Sequence, residues 1–149
     1  RITTLKLMDG VFDIYMPDFK FWDPHVAEIT CQAGDYPEVA QKALIEMHRQ
    51  VGDLQVDDAG IAKRGLLIRH LVLPDGLAGT REIMRFIAQH ISPDSYVNIM
   101  AQYRPCGRAA EVKGLNSHLL TKEYHLALKA AKQEGITRLD QPRRMFRFR

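Results

Sequence analysis

The sequence predicts an α/β fold in which parallel strands alternate with helices. Three short apolar segments have the length and composition of strands, and each is nearly continuous, as strands buried on both faces require. These segments are residues 11–16, 66–73 and 96–100. Segments with the 3.6-residue apolar period of helices lie between and after them. Such alternation favours parallel strand pairs joined by right-handed crossovers.

Three helices are predicted from this period and from residues typical of helix ends. They cover residues 37–51, 80–91 and 121–134. Pro37 suits a first helical turn, Thr80 suits an N-cap, and Gly135 suits the end of the third helix. A small hairpin is also expected before the second strand, because residues 54–56 and 61–64 flank a turn-forming Asp-Asp-Ala-Gly segment.

The composition indicates one domain that does not enter a membrane. With 149 residues and 46% hydrophobic content, the chain can form a single modest core. No apolar run reaches the roughly 20 residues that span a bilayer, and the first residues lack the apolar core of a signal peptide. The two cysteines, Cys31 and Cys106, are far apart, which fits a reducing compartment. We therefore expect a cytoplasmic protein without a membrane partner.

Positive charge is concentrated in a basic C-terminal tail, residues 136–149. The tail has five arginines against one acidic residue, so the rest of the chain is nearly neutral although the formal net charge is +3. A basic terminus of this kind is usually solvated or paired locally. We therefore do not expect a nucleic-acid partner, and RNA binding through the tail is the alternative.

The predicted sheet is too small to be a complete α/β fold. Three parallel strands leave unpaired backbone and uncovered apolar faces at the edges of the sheet. The chain also starts without methionine, inside what looks like the end of a helix at residues 4–8. We therefore expect a fragment of a larger α/β domain that can self-associate through its open edges. Loss of terminal residues explains the missing methionine equally well.

Polar residues follow or occupy the end of each predicted strand, where parallel α/β folds bind ligands. Asp18 and Lys20 follow the first strand and share one face in an extended chain, Arg69 lies in the second strand, and Gln102 and Tyr103 follow the third. Such a pocket can hold a zwitterionic ligand, because its cations meet a carboxylate and its acid meets an ammonium or hydroxyl group. The alternative is a local ion pair between Asp18 and Lys20, with Arg69 bonded to loop carbonyls.

Other kinds of site lack their sequence patterns. The six histidines show no H-E-x-x-H spacing, and neither cysteine has a partner at the spacing of zinc ligands. G-x-S-x-G, Walker and G-x-G-x-x-G motifs are also absent from the sequence. We therefore predict no metal ligands in this chain and assign no catalytic residue to it.

Several segments resemble radical S-adenosylmethionine (SAM) enzymes. The most distinctive segments are residues 13–23 (DIYMPDFKFWD), 64–74 (RGLLIRHLVLP), 96–105 (YVNIMAQYRP) and 142–148 (PRRMFRF). In order and content they are similar to iron–sulfur proteins of the pyruvate formate-lyase activating enzyme type. The resemblance covers essentially the whole chain, residues 1–149, which would form the C-terminal half of such an enzyme.

The resemblance implies the second half of a partial (β/α)6 TIM-like barrel with a small hairpin insertion. It further implies that Asp18 and Lys20 are the SAM-binding pair of the fourth strand and that Arg69 is the arginine of the fifth. Gln102 or Tyr103 would approach SAM from the sixth strand. Activating enzymes proper often have histidine there, so the role of these two residues stays open.

The resemblance also implies an oxidoreductase whose 4Fe-4S cluster is held outside this chain. The family's C-x-x-x-C-x-x-C loop is absent here, and Cys31 and Cys106 cannot replace its three thiolates. In the full-length protein, SAM would be cleaved to a 5′-deoxyadenosyl radical that abstracts hydrogen from a glycyl-radical enzyme or another protein substrate. We expect the chain alone to be inactive. The alternative is a cluster-free module that binds a SAM-like small molecule or RNA.

Overall fold

The computed structural model describes residues 1–140, which include five α-helices and a four-stranded sheet. The helices and strands are, in chain order, α1 (Ile2–Leu7), β1 (Ile14–Tyr15), α2 (Pro24–Cys31), α3 (Tyr36–Val51), β2 (Gln55–Val56), β3 (Ala62–Leu71), α4 (Thr80–Phe86), β4 (Tyr96–Met100) and α5 (Thr121–Gln133). Three short helical turns complete the set, at Pro74–Gly76, Ile87–Ile91 and Gly107–Glu111.

The sheet is mixed and is organised around β3. Strands β1 and β4 pair with β3 in parallel, whereas β2 pairs with its first residues in the antiparallel direction. Arg69 of β3 has Asp18 as its register partner on one side and Asn98 on the other. Leu139 adds one parallel bridge to Val97 beyond β4. Within residues 1–140, no strand pairs with the outer edge of β1.

The barrel prediction is wrong. A barrel half requires βα units whose parallel strands curve toward closure, but the sheet here is mixed, has four strands and does not close. Strand β1 has only two residues, although the apolar run predicted six. The parallel pairings and crossovers follow from local sequence period, whereas closure depends on strand length and number, which that period does not determine.

Most predicted elements are confirmed, with small shifts at their ends. Helices α3 and α5 and strand β4 match the predicted segments, and β2 with the start of β3 forms the predicted hairpin. The predicted helix over residues 80–91 is α4 followed by a wider π-helical turn. Helix α2 was not predicted, although Asp23 caps it by accepting hydrogen bonds from His25 N and Val26 N.

The core lies between β3, β4 and the helices. Fully buried side chains from these elements form it, with Phe19 packed at the strand ends. They include Phe19, Leu66, Ile68, Ile83, Met84, Ile87 and Val97. Strand β1 differs, because Ile14 is 39% exposed, and Met16 just after it is 56% exposed. The prediction that this strand is buried on both faces is wrong, since no described element covers its outer side.

Two further predictions concern the membrane and the tail. In residues 1–140, every helix is too short or too polar to cross a bilayer. Arg138 is the one tail arginine inside the described range. It donates to the carbonyls of Asp94 at 2.9 Å and Leu54 at 2.7 Å, and its guanidinium lies 5.7 Å from the centre of the Tyr96 ring. The tail residues 141–149 lie outside the described range.

Candidate functional site

The ends of β1 and β3 bring three predicted site residues together, and we call Asp18, Lys20 and Arg69 the strand-end cluster. The carboxylate of Asp18 accepts a hydrogen bond from Arg69 Nε at 2.7 Å. Its other oxygen lies 3.4 Å from Lys20 Nζ. The parallel register of Asp18 with Arg69 fixes this meeting, because Arg69 N donates to Pro17 O and Phe19 N donates to Arg69 O.

The cluster is half-buried and carries two positive groups against one negative group. The side chains of Asp18, Lys20 and Arg69 are 26%, 48% and 36% exposed. Ion pairs this exposed contribute about 0–1 kcal/mol each. A ligand carboxylate can therefore draw Lys20 or Arg69 from Asp18 at small cost. Because a carboxylate has about four acceptor positions, Asp18 can still accept from a ligand ammonium or hydroxyl group.

The backbone between Asp18 and Lys20 is held from both sides. The carbonyl of Asp18 accepts from the Tyr36 hydroxyl at 2.9 Å, and Lys20 N donates to that same hydroxyl at 2.9 Å. Phe19 N donates to Arg69 O at 2.8 Å, and Phe19 O lies 2.8 Å from His70 Nδ1. All four polar backbone groups that link the two side chains are thus satisfied.

His70 lies beneath the cluster on the opposite face of β3 from Arg69. Its imidazole is fully buried and lies between Phe19 O and the Thr80 hydroxyl, which is 2.8 Å from Nε2. Because a carbonyl oxygen only accepts, Nδ1 carries the proton and Nε2 accepts from Thr80. Burial lowers the pKa of His70 from 6.5 to about 4, against a smaller raising effect of the Phe19 carbonyl. His70 is therefore neutral at pH 7.

Tyr36 approaches the cluster from the first turn of α3. Its ring packs edge-on against Phe21 with centroids 5.8 Å apart. Burial raises the pKa of the Tyr36 hydroxyl, and the hydrogen bond from Lys20 N partly opposes that rise. The hydroxyl therefore keeps its proton and donates it to the Asp18 carbonyl.

Gln102 and Tyr103 are not part of the strand-end cluster. Gln102 is exposed, and its amide donates to the sulfur of Met100 at 3.6 Å. Tyr103 donates its hydroxyl proton to Leu115 O at 2.6 Å. Neither residue has a hydrogen bond or ion pair to the cluster within residues 1–140. The structure thus brings together three of the five predicted site residues.

Two cavities accompany these elements in the described part of the chain. The loop cavity, about 760 Å³, lies between the end of α2 and residues 103–115, and Tyr103, Cys31 and Cys106 line it. Both cysteines are exposed and free. The other cavity, about 770 Å³, lies between α4 and α5 and includes none of the five predicted site residues. Tyr103 therefore lines the loop cavity, whereas the sequence predicts that it lines a pocket with Asp18, Lys20 and Arg69.

Across residues 1–140, no three His, Cys, Asp or Glu side chains are grouped so that they could hold a metal ion. The donor set of the strand-end cluster is also unsuited to a 4Fe-4S cluster, which is held by cysteine thiolates. Two cations and one carboxylate fit a zwitterionic organic ligand better.

Sequence reasoning missed two residues that support the cluster. His70 had an available signal, because neighbouring residues of a strand point to opposite faces, so a histidine beside a site-facing Arg69 points inward. Tyr36 had no local signal. It is 16 residues from Lys20 and meets it only because α3 packs across the strand ends.

The comparisons with known proteins find one distant relative and no match of a known family. Over 133 residues, the chain is 31% identical to a protein of Methanocaldococcus jannaschii named "Uncharacterized protein MJ0674". The alignment covers 89% of this chain and 35% of that protein, so the chain spans about one third of the length of the relative. No family model matches the chain. No solved structure matches it either.

Proposed function

We propose that this chain is the C-terminal part of a cytoplasmic radical SAM oxidoreductase similar to the pyruvate formate-lyase activating enzymes. SAM bound at a reduced 4Fe-4S cluster would supply a 5′-deoxyadenosyl radical for hydrogen abstraction from a glycine of a partner enzyme or from another protein substrate. The thiolates that hold the cluster would belong to polypeptide outside these 149 residues. The role of this chain is to bind and orient SAM.

The observation that carries the proposal is the meeting of Asp18, Lys20 and Arg69 at one strand end. The methionyl part of SAM has a carboxylate and an ammonium group, and the cluster offers a complementary partner to each. Lys20 and Arg69 would bind the carboxylate, while Asp18 would accept from the ammonium group. The weak internal ion pairs favour this exchange, because breaking an exposed pair costs little.

The proposal is tested on the complete protein that the gene encodes. We expect its sequence to include C-x-x-x-C-x-x-C before residue 1 of this chain. After reconstitution of the cluster and reduction with dithionite, the protein should convert SAM to 5′-deoxyadenosine and methionine, measured by chromatography. Asp18→Asn should lower this conversion at least tenfold, whereas Asp58→Asn, an exposed change in the hairpin turn, should leave it unchanged.

Two outcomes would contradict the proposal. One is a complete coding sequence without the three-cysteine motif. The other is reductive cleavage of SAM that Asp18→Asn and Asp58→Asn affect equally. Binding of SAM without any cleavage by the reconstituted protein would instead favour the cluster-free binding module.

A further inference from the structure

We propose that His70 and Tyr36 are positioning residues that hold Asp18 and Lys20 in the geometry that binds SAM. The inference rests on the proposed function, because it concerns the same site. Neither residue belongs to the strand-end cluster, and each acts through the backbone of residues 18–20. His70 approaches this segment from β3, beneath the sheet face, and Tyr36 approaches it from α3.

His70 holds the middle of this segment. Its Nδ1–H donates to Phe19 O at 2.8 Å, and its Nε2 accepts from Thr80 at 2.8 Å. The imidazole is fully buried, so water does not compete for either bond. Thr80 is the first residue of α4, and His70 therefore ties the segment to that helix. Rotation of the peptide after Phe19, which would turn the Lys20 side chain, breaks the bond to His70.

Tyr36 holds the two ends of the segment. A single hydroxyl group donates to Asp18 O and accepts from Lys20 N, with both distances 2.9 Å. This bridge fixes the separation of the two backbone positions from which the acid and the amine project. A site held within about 0.5 Å of its productive geometry loses less entropy when a ligand binds. A variant that no longer holds Asp18 and Lys20 in position should therefore bind the ligand more weakly.

A pair of variants at residue 70 separates positioning from packing. The amide nitrogen of asparagine can replace Nδ1 as the donor to Phe19 O, whereas the amide of glutamine reaches the position of Nε2. Both changes remove the ring from the core and place an amide there. His70→Asn should thus keep the hydrogen bond to Phe19 O, and His70→Gln should lose it. Tyr36→Phe removes the hydroxyl but keeps the ring against Phe21.

The first measurement is calorimetric titration of the complete, cluster-reconstituted protein with SAM. Loss of one hydrogen bond that positions a ligand group corresponds to about a tenfold change in affinity. We expect Kd to rise about tenfold in His70→Gln and in Tyr36→Phe, and less than threefold in His70→Asn. Circular dichroism shows that each variant is folded before it is titrated.

The second measurement does not need a ligand. Hydrogen exchange followed by NMR should show the amides of Phe19 and Lys20 exchanging about tenfold faster in His70→Gln and Tyr36→Phe than in His70→Asn. Equal exchange and equal SAM affinity in all variants would overturn the positioning role. If the complete, cluster-reconstituted wild-type protein does not bind SAM but exchange changes as expected, the hydrogen bonds hold the segment and the proposed function fails instead.

Discussion

As pH falls, the buried His70 should destabilise the fold at a higher pH than the ion-paired carboxylates do. The pKa of His70 is 6.5 in an ordinary setting and about 4 in the fold, where burial disfavours the charged ring. As pH falls below 6.5, the unfolded chain therefore binds a proton at this position while the folded chain does not. The stability that neutral His70 contributes is complete above pH 6.5 and is lost progressively as pH falls to about 4.

The magnitude follows from the difference between the two pKa values. With 1.36 kcal/mol for each pKa unit of difference, the loss between pH 8 and pH 5 is about 2 kcal/mol. Carboxylates that are ion-paired in the fold act at lower pH. The pKa of Glu46, for example, is lowered to about 2 by hydrogen bonds from Arg49 and Gln50. The range between pH 8 and pH 5 therefore reports mainly on histidine.

Urea unfolding followed by circular dichroism at pH 8, 6.5 and 5 measures this loss. His70→Asn should remove the part of the pH dependence that comes from burial of the ring, about 2 kcal/mol between pH 8 and pH 5. His118→Asn is the control for the same substitution at an exposed histidine. A His70→Asn variant whose stability falls with pH as steeply as that of the wild type would refute the reasoning.

Three further predictions concern stability, the sheet edge and the tail. Gly65→Ala should lower the free energy of unfolding in urea by about 3 kcal/mol, because Gly65 has φ +118° and a Cβ there would lie 2.4 Å from Asp53 O. Ile14→Lys should reduce concentration-dependent self-association in sedimentation velocity, because Ile14 is 39% exposed on the open edge strand β1; unchanged association would exclude this edge. If the tail binds RNA, affinity should fall steeply between 50 and 200 mM salt, and binding insensitive to salt would contradict that alternative.

The sequence predicted those parts of the fold that depend on local period. Helix α3 follows from an apolar stripe between Pro37 and Gly52, and the hairpin follows from its turn residues. Helix α2 was missed because its start depends on the side chain of Asp23 rather than on an apolar stripe. The barrel was wrongly predicted because strand length and closure depend on long-range packing, as the two-residue strand β1 illustrates.

The candidate site could likewise be predicted only in part from the sequence. Asp18, Lys20 and Arg69 could be grouped from the sequence, because parallel strands end at one edge of a sheet. Gln102 and Tyr103 were placed by the same rule, but the Gln102 amide donates to the sulfur of Met100 and the Tyr103 hydroxyl donates to Leu115 O instead. The support from Tyr36 required knowledge of how α3 packs.

The most direct measurement is a SAM titration of the complete, cluster-reconstituted and ¹⁵N-labelled protein that follows the Arg69 Nε–H signal by NMR. This group now donates to Asp18 at 2.7 Å and would exchange that partner for a ligand carboxylate. We expect a saturable shift of this signal together with the Lys20 amide, and its loss in Asp18→Asn. A complete protein whose Arg69 signal stays fixed at saturating SAM, or shifts equally in Asp18→Asn, would contradict the assignment of this strand end as a SAM site.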